Sequence, residues 1–361
     1  MYKKTILVCP LDWGLGHATR CVPIINELIK QNFNAVIGAS DRTANLLRAE
    51  FPKLTIVPFR GYDISYPAGG SMILKMLRQF PGLLSKIAAE RREVTEIVKE
   101  YKIDGIISDN RFGLGIAGLP TVYITHQVTI AMPSQYKIFE PVLKFMHQLV
   151  MNRFTEVWIP DYSGDNNLSG NLSHNQKLPP NAHFIGSLSR FEKDERQSAN
   201  HDFDILVIIS GPEPQRTVFE WMLLRQLEGR TERVMIVRGA PESQRQVSVT
   251  ENISVVDHLP AGEMNLAISS AGLIIARSGY STIMDLAILG KRAIFIPTPG
   301  QTEQEYLADL MKKRNVCYSE PQEGFDLERS LSLADEYKGF EPSERNGNML
   351  RERIKILFGS E

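Results

Sequence analysis

Two stretches of the chain place groups able to do chemistry where a strand gives way to a helix. In the first, an apolar run ends at Cys9 and Pro10-Leu11-Asp12-Trp13-Gly14-Leu15-Gly16-His17 follows. Gly14 and Gly16 permit a tight turn and close backbone approach. A helix starting near His17 offers unpaired N–H groups and a positive dipole end. A histidine there is pushed towards its neutral form, which can act as a base. The same position equally suits a polar residue that only caps its helix. In the second stretch, the run Leu273-Ile274-Ile275-Ala276 turns through Arg277-Ser278-Gly279-Tyr280-Ser281-Thr282 into a helix. Small residues, hydroxyls and N–H groups at a helix start make an anion site suited to phosphates. Asp285 falls one turn further on, placed to accept hydrogen bonds from ribose hydroxyls. After the next run come Pro297-Thr298-Pro299-Gly300-Gln301-Thr302 and then Glu303-Gln304. A carboxylate beside an amide suits paired hydrogen bonds to sugar hydroxyls. Helix capping by Thr302 and surface charge at Glu303 and Glu305 would use the same residues.

A dinucleotide fingerprint needs a third glycine, and Thr19 stands in its place. Asp41 sits where an acidic ribose ligand would fall, so a nicotinamide site is the last of the readings rather than absent from them.

The elements around these motifs alternate. Residues 5–9, 35–38, 54–57, 105–108 and 121–124 are short and rich in Val and Ile, as strands buried on both faces are. Helical patterns at 22–30 and 83–101 lie between them. Residues 162–181 read as a long loop, and 188–202, charged and polar, as a linker. The alternation restarts at 205–209, 234–237, 253–256, 273–276 and 293–296, and Gly290 reads as a helix C-cap. A final helix spans about 343–358, with Ser343 as its cap. The expected fold is α/β: two Rossmann-like doubly wound parallel sheets facing a central cleft. Its parts are an acceptor-side domain at 1–187, a linker at 188–202, a donor domain at 203–341, and a helix at 342–361 returning towards the first domain.

Size and composition agree. The 361 residues suit two domains, and 41 Lys plus Arg against 42 Asp plus Glu give no global pull towards nucleic acid. Cys9, Cys21 and Cys317 have neither the number nor the spacing of a disulfide framework or zinc site, which points to a reducing cytoplasm. No run approaches the ~18 apolar residues of a membrane span, so a membrane would be met from the side.

With these motifs in hand, the chain resembles GT-B glycosyltransferases, and among them family 28 with its MurG-type N-acetylglucosaminyltransferases. Arg-Ser-Gly-Tyr-Ser-Thr-Ile-Met-Asp followed by Pro-Thr-Pro-Gly-Gln-Thr-Glu-Gln is similar to the family's donor signature. Gly-Leu-Gly-His-Ala-Thr-Arg is similar to its glycine-rich loop and histidine. The resemblance implies that Arg277, Ser278, Gly279, Ser281 and Thr282 belong to the donor site, with Ser278 and Gly279 against the diphosphate. It implies that Asp285 binds ribose where the family has Glu, that Glu303 and Gln304 hold the sugar, and that the loop with His258 and Leu259 borders the base. It implies that Gly14 and Gly16 belong to the site and that His17 is the base. Asp109 resembles the carboxylate that orients such a histidine, although Ser-Asp-Asn at a strand end also reads as a turn. Thr125-His126-Gln127 fits acceptor contact. One departure stands out: the family's second glycine-rich loop is here Ser210-Gly211-Pro212-Glu213-Pro214-Gln215-Arg216. Its prolines supply no N–H, leaving Ser210, Gly211 and Arg216 as contributors.

The reaction so implied is an inverting transfer from a nucleotide diphosphate-sugar, expected to be a UDP-sugar, to an acceptor hydroxyl. The resemblance implies no metal and no cofactor beyond the donor. Residues 72–86 and 139–154 combine bulky apolar side chains with basic ones, which fits a membrane-facing patch for a lipid-linked acceptor. Their periodicity is also that of amphipathic helices packed on a sheet. A sugar-nucleotide epimerase using Asp12 and Glu303, and a non-catalytic nucleotide-sugar binder, are the rival functions.

Overall fold

A computed structural model describes residues 3–12, 14–59, 72–130, 138, 140–193, 202–211, 213–240, 246–342 and 347–359. The chain divides into two compact units, Met1–Leu188 with Asn346–Glu361, and Ser189–Arg345.

The first unit holds β1 (Thr5–Pro10), α1 (Leu15–Lys30), β2 (Asn34–Ala39), α2 (Asp41–Glu50), β3 (Thr55–Pro58), α3 (Met72–Glu100), β4 (Gly105–Asp109), β5 (Thr121–Ile124), α4 (Glu140–Met151), β6 (Glu156–Ile159) and β7 (Ala182–Phe184). The strands form one parallel sheet in the order β3-β2-β1-β4-β5-β6-β7. Ile6, Leu7, Val8 and Cys9 are wholly buried, as are Ile106 and Ile107. Burying each such side chain stabilises by about 1.5–3 kcal/mol. A strand covered on both faces therefore reads as a continuous apolar run.

The second unit holds β8 (Phe203–Ile208), α5 (Gln215–Leu227), β9 (Val234–Val237), β10 (Gln246–Ser248), β11 (Ile253–Val256), α6 (Ala261–Ser270), β12 (Ala271–Ala276), α7 (Tyr280–Leu289), β13 (Ala293–Phe295), α8 (Thr302–Lys313), β14 (Tyr318–Ser319) and α9 (Leu327–Ala334). Its sheet runs β10-β11-β9-β8-β12-β13-β14, parallel except for the pairing of β10 with β11. In each sheet the strand order reverses beside the first strand, between β1 and β4 and between β8 and β12. Open α/β sheets bind ligands at such points, beyond the carboxyl ends of the strands.

A buried arginine braces each reversal. Arg111, two residues past β4, pairs with Glu90 on α3 at 2.7 Å. It also donates to the carbonyls of Pro10 and Phe59 and stacks 4.0 Å over the Phe59 ring. Arg277, directly after β12, donates to the carbonyls of Ile296, Pro297 and Gln215 and to Gln322 Oε1, and lies 4.3 Å over the Phe219 ring. Each ties the loops after several strands into one rigid rim.

The last helix, α10 (Gly347–Phe358), packs in the first unit. Arg353 pairs with Glu156, Lys4 Nζ donates to Phe358 O at 3.0 Å, and the Phe358 ring meets Trp158 edge-on. A Cβ at Gly105 would lie 2.5 Å from that ring, so only glycine leaves it room. The expected cap Ser343 lies outside the described residues. The segment 162–181, legible in sequence only as a loop, is folded around Asp161. That buried carboxylate accepts from the N–H groups of Tyr162, Leu168 and Ser169, from Ser169 Oγ and from His174 Nε2. Burial alone would raise its pKa, but these hydrogen bonds hold it below the ordinary value. The polar stretch after Leu188 is not all connecting chain: Ser189 and Phe191 are buried in the second unit.

Candidate active site

In the first unit, adjacent strand ends bring four side chains together. Gly14, at φ 115°, precedes α1 and carries no side-chain cap. His17 and Arg20 are three residues apart on α1, hence on one face of it. Asp109 ends β4, which pairs with β1, and His126 follows β5, which pairs with β4. His17 Nδ1 lies 3.2 Å from Asp109 Oδ2, so the structure brings these two residues together. Asp109 is wholly buried and is gripped by Arg20, whose Nε donates to Oδ2 at 2.6 Å and whose Nη2 donates to Oδ1. Arg20 Nη2 also lies 2.8 Å from His17 Nδ1, and its Nη1 3.2 Å from His126 Nδ1.

The charges follow from this geometry. Burial would raise the Asp109 carboxyl, but Arg20 and His17 hold it at about 2. Burial and the Arg20 charge push His17 below 6.5, against the pull of Asp109. His17 is therefore neutral at neutral pH, the form a base requires. Arg20 was quoted in the sequence motif without a role. Its i,i+3 spacing from His17 was the available signal, while its partner Asp109 lies 89 residues away.

In the second unit, the structure gathers the donor-signature residues at the ends of β12 and β13. Gly279 is the N-cap of α7 and supplies no side-chain cap, and a Cβ on Gly279 would meet nothing within 4 Å. Space therefore lies beside the helix start, with Ser281 and Thr282 half-buried in its first turn. Ser278 Oγ donates to Gln304 O at 2.7 Å, and Gln304 Oε1 accepts from Thr298 N at 2.9 Å. Gln304 Nε2 donates to Gln301 Oε1, so its amide braces the loop after β13, while its main-chain carbonyl ties that loop to Ser278. Glu303 is half-buried in the first turn of α8, which starts at Thr302 with Gln301 as N-cap; Thr302 is thus inside the helix rather than its cap. Asp285 Oδ1 accepts from Ser189 Oγ at 2.6 Å, and burial raises its carboxyl to about 7.

Arg277 takes a different place from the one its motif suggested. Its side chain is fully buried, its donors go to carbonyls and Gln322, and burial lowers its pKa to about 10. It shapes the loops rather than lining their surface. Ser210 and Gly211 lie exposed after β8, and a Cβ on Gly211 would sit 3.6 Å from Thr298 Oγ1. Arg216 is turned to Glu213 and to Gly239 O, while Pro212 lies outside the described residues. His258 and Leu259 are half-buried after β11. Thr298, which sequence reasoning passed over, is 2% exposed, and its Oγ1 has no hydrogen-bond partner among the described residues. This hydroxyl, close to Gly211, is left able to hydrogen-bond a ligand at the strand end.

Among the described residues no group of three or more His, Cys, Asp or Glu could hold a metal ion, and no helix is long and apolar enough to cross a membrane.

Comparison with known proteins bears on the fold and the family. Residues 216–338 match the family described as glycosyltransferase family 28 C-terminal domain. An uncharacterized glycosyltransferase of Methanosarcina mazei is 22% identical over 350 residues, covering 89% of this chain and 87% of that protein. The UDP-N-acetylglucosamine–N-acetylmuramyl-(pentapeptide) pyrophosphoryl-undecaprenol N-acetylglucosamine transferase of Alkaliphilus oremlandii is 24% identical over 323 residues, covering 84% of this chain and 81% of that protein. The crystal structure of Acinetobacter baumannii MurG superposes with a TM-score of 0.56 at 16% identity, over 97% of this chain and 93% of that one. The resemblance carried by the sequence motifs thus stands: the chain has the GT-B fold, and its residues 216–338 are similar to the family 28 C-terminal domain of glycosyltransferases.

Proposed function

We propose that the protein transfers a sugar from a UDP-sugar to an acceptor hydroxyl with inversion at the anomeric carbon. The acceptor oxygen forms a bond to that carbon as the bond from the carbon to the diphosphate oxygen breaks. The acceptor proton passes to His17, and the nucleoside diphosphate leaves. The observation that carries the reading is the start of α7 at Gly279, with open space beside it, tied to the sugar loop by the bond from Ser278 Oγ to the Gln304 carbonyl. Backbone N–H groups there stabilise the leaving diphosphate, and the reaction requires no divalent metal. Asp285 receives ribose hydroxyls, Glu303 receives sugar hydroxyls, and Thr298 Oγ1 supplies one further contact.

The UDP and the lipid in the name of the Alkaliphilus relative support a UDP-sugar donor and a lipid-linked acceptor. On α4, Val142, Phe145 and Leu149 are exposed at helical spacing, which suits contact with a membrane surface from the cytoplasmic side. Side chains at 72–81 and at 139 lie outside the described residues.

The test is nucleotide release from UDP-, GDP- and dTDP-sugars, with and without polyprenyl-linked and free sugar acceptors, in EDTA. Acceptor-dependent UDP release, lost in His17→Ala, is the expected result. Conversion of a nucleotide sugar with no acceptor present would make the protein an epimerase instead. Tight binding unaffected by His17→Ala, with no turnover of any donor, would make it a binding protein.

A further inference from the structure

His17 Nδ1 faces two groups that want opposite things from it. Asp109 Oδ2, at 3.2 Å, can only accept, and so calls for a proton on Nδ1. Arg20 Nη2, at 2.8 Å, can only donate, and so calls for a bare Nδ1. Neutral imidazole has one proton, so one contact must yield. The choice decides what the ring can do. With the proton on Nδ1, Nε2 is bare and can take a proton from an acceptor hydroxyl. With Nδ1 bare, the proton sits on Nε2 and that nitrogen cannot act as a base. Among the described residues Nε2 has no hydrogen-bond partner of its own, so nothing there opposes either state.

The contacts favour Arg20. Its approach to Nδ1 is the shorter by 0.4 Å (3.2 against 2.8 Å). Asp109 is already held by a two-pronged guanidinium fork, with both oxygens engaged, which leaves it a weaker pull on the histidine proton. The same guanidinium donates towards His126 Nδ1, so Arg20 sits between two imidazoles and one carboxylate, all buried or nearly so. The charged and titratable groups acting on His17 are thus Arg20 on α1, Asp109 ending β4 and His126 after β5, with Cys21 Sγ against Asp109. Of these Arg20 is the fixed positive charge.

Resting on the reading of His17 as the base, we propose that Arg20 is a positioning residue that holds His17 with its proton on Nε2 in the resting enzyme, so that base competence requires Arg20 Nη2 to yield Nδ1 to Asp109. Arg20 then acts as a latch on the base. The depressed pKa of His17, caused by burial and by Arg20, is consistent with a ring that accepts from a cation rather than donating to an anion.

The test needs no substrate, and so its failure is separable from failure of the base reading, which His17→Ala turnover decides. The full chain is labelled with ring-¹⁵N histidine, and long-range ¹H–¹⁵N spectra of its seven histidines are followed from pH 5 to 9. His17→Gln and His126→Gln assign the two signals. The expected wild-type result is a bare Nδ1 and a protonated Nε2 on His17, titrating below 6.5. In Arg20→Gln the proton should move to Nδ1, and the midpoint should rise by about one pH unit or more as the cation is lost. A wild-type His17 carrying its proton on Nδ1 overturns the proposal without any variant, should Arg20→Gln fail to fold. A folded Arg20→Gln with the same tautomer and midpoint as wild type overturns it equally.

Discussion

Replacing Asp285 by Asn should stabilise the protein and weaken donor binding together. The Asp285 carboxyl is pushed from an ordinary 3.8 to about 7, chiefly by burial, with the Ser189 hydroxyl and Arg190 opposing. A folded pKa above the unfolded one means that stability is lost as pH rises from about 4 to about 7, because the unfolded chain ionises first. Above pH 7 the loss is complete and constant. At 1.36 kcal/mol per pH unit, three units would cost about 4 kcal/mol. Asp285 keeps part of its surface in solvent, so about 2 kcal/mol is the figure to expect. Asn keeps an oxygen for the Ser189 hydroxyl and removes the ionisation. For domains of this size about 2–4 °C accompanies each kcal/mol, so Asp285→Asn should melt about 4–8 °C higher at pH 8. At pH 5 only about a third of that gap should remain, since the unfolded carboxyl is then little more than one unit past its pKa. Thermal denaturation of both proteins at the two pH values measures it. Adding the UDP-sugar that stabilises wild type should shift the variant far less, the trade of stability against function expected where a fold strains a group for binding. A gap of equal size at pH 5 and 8, or no gap, would mean that Asp285 is not strained by burial and would remove this argument for its role.

Other consequences are equally checkable. Glu90→Ala leaves the Arg111 guanidinium buried without its carboxylate and Gly113 N without an acceptor, and should destabilise by about 3–5 kcal/mol in denaturant titration. Gly290→Val places a branched side chain at φ 64°, with its Cβ 2.5 Å from Pro342 Cγ, and should lower the melting temperature by several degrees. Gln304→Ala keeps the main-chain carbonyl bonded to Ser278 but removes the amide that holds Thr298 N and Gln301 Oε1 in the loop after β13; it should weaken nucleotide-sugar binding measured by calorimetry while leaving the far-ultraviolet dichroism unchanged.

The sequence announces what is buried on both faces and conceals what depends on distant partners. β1, β4 and β12 are continuous apolar runs because parallel strands are covered above and below. β6 escaped notice because it carries Glu156, whose carboxylate is matched by Trp158 Nε1 two residues on and by Arg353 on α10, 197 residues away. β7 is three half-buried residues at the sheet edge, and β14 only two, too short for a period to show. The segment 162–181 has loop composition because its order comes from one acceptor, Asp161, rather than from an apolar face. At the site, His17 and Asp109 were each visible as a strand-end residue, but their contact spans 92 residues. Arg277 sits within the donor motif, so its burial was hidden; its partners Gln215, Phe219 and Gln322 lie in other parts of the chain.

The central claim is that the ends of β12 and β13 hold a nucleotide diphosphate-sugar. The most direct measurement is the melting temperature of the full chain against a panel of UDP-, GDP- and dTDP-sugars at millimolar concentration. A ligand at a hundred times its dissociation constant adds about 2.7 kcal/mol to the folded state. A rise of several degrees is expected with a UDP-sugar, shared by UDP alone and lost in Glu303→Ala only for the sugar-dependent part. No shift with any nucleotide or nucleotide sugar would contradict it.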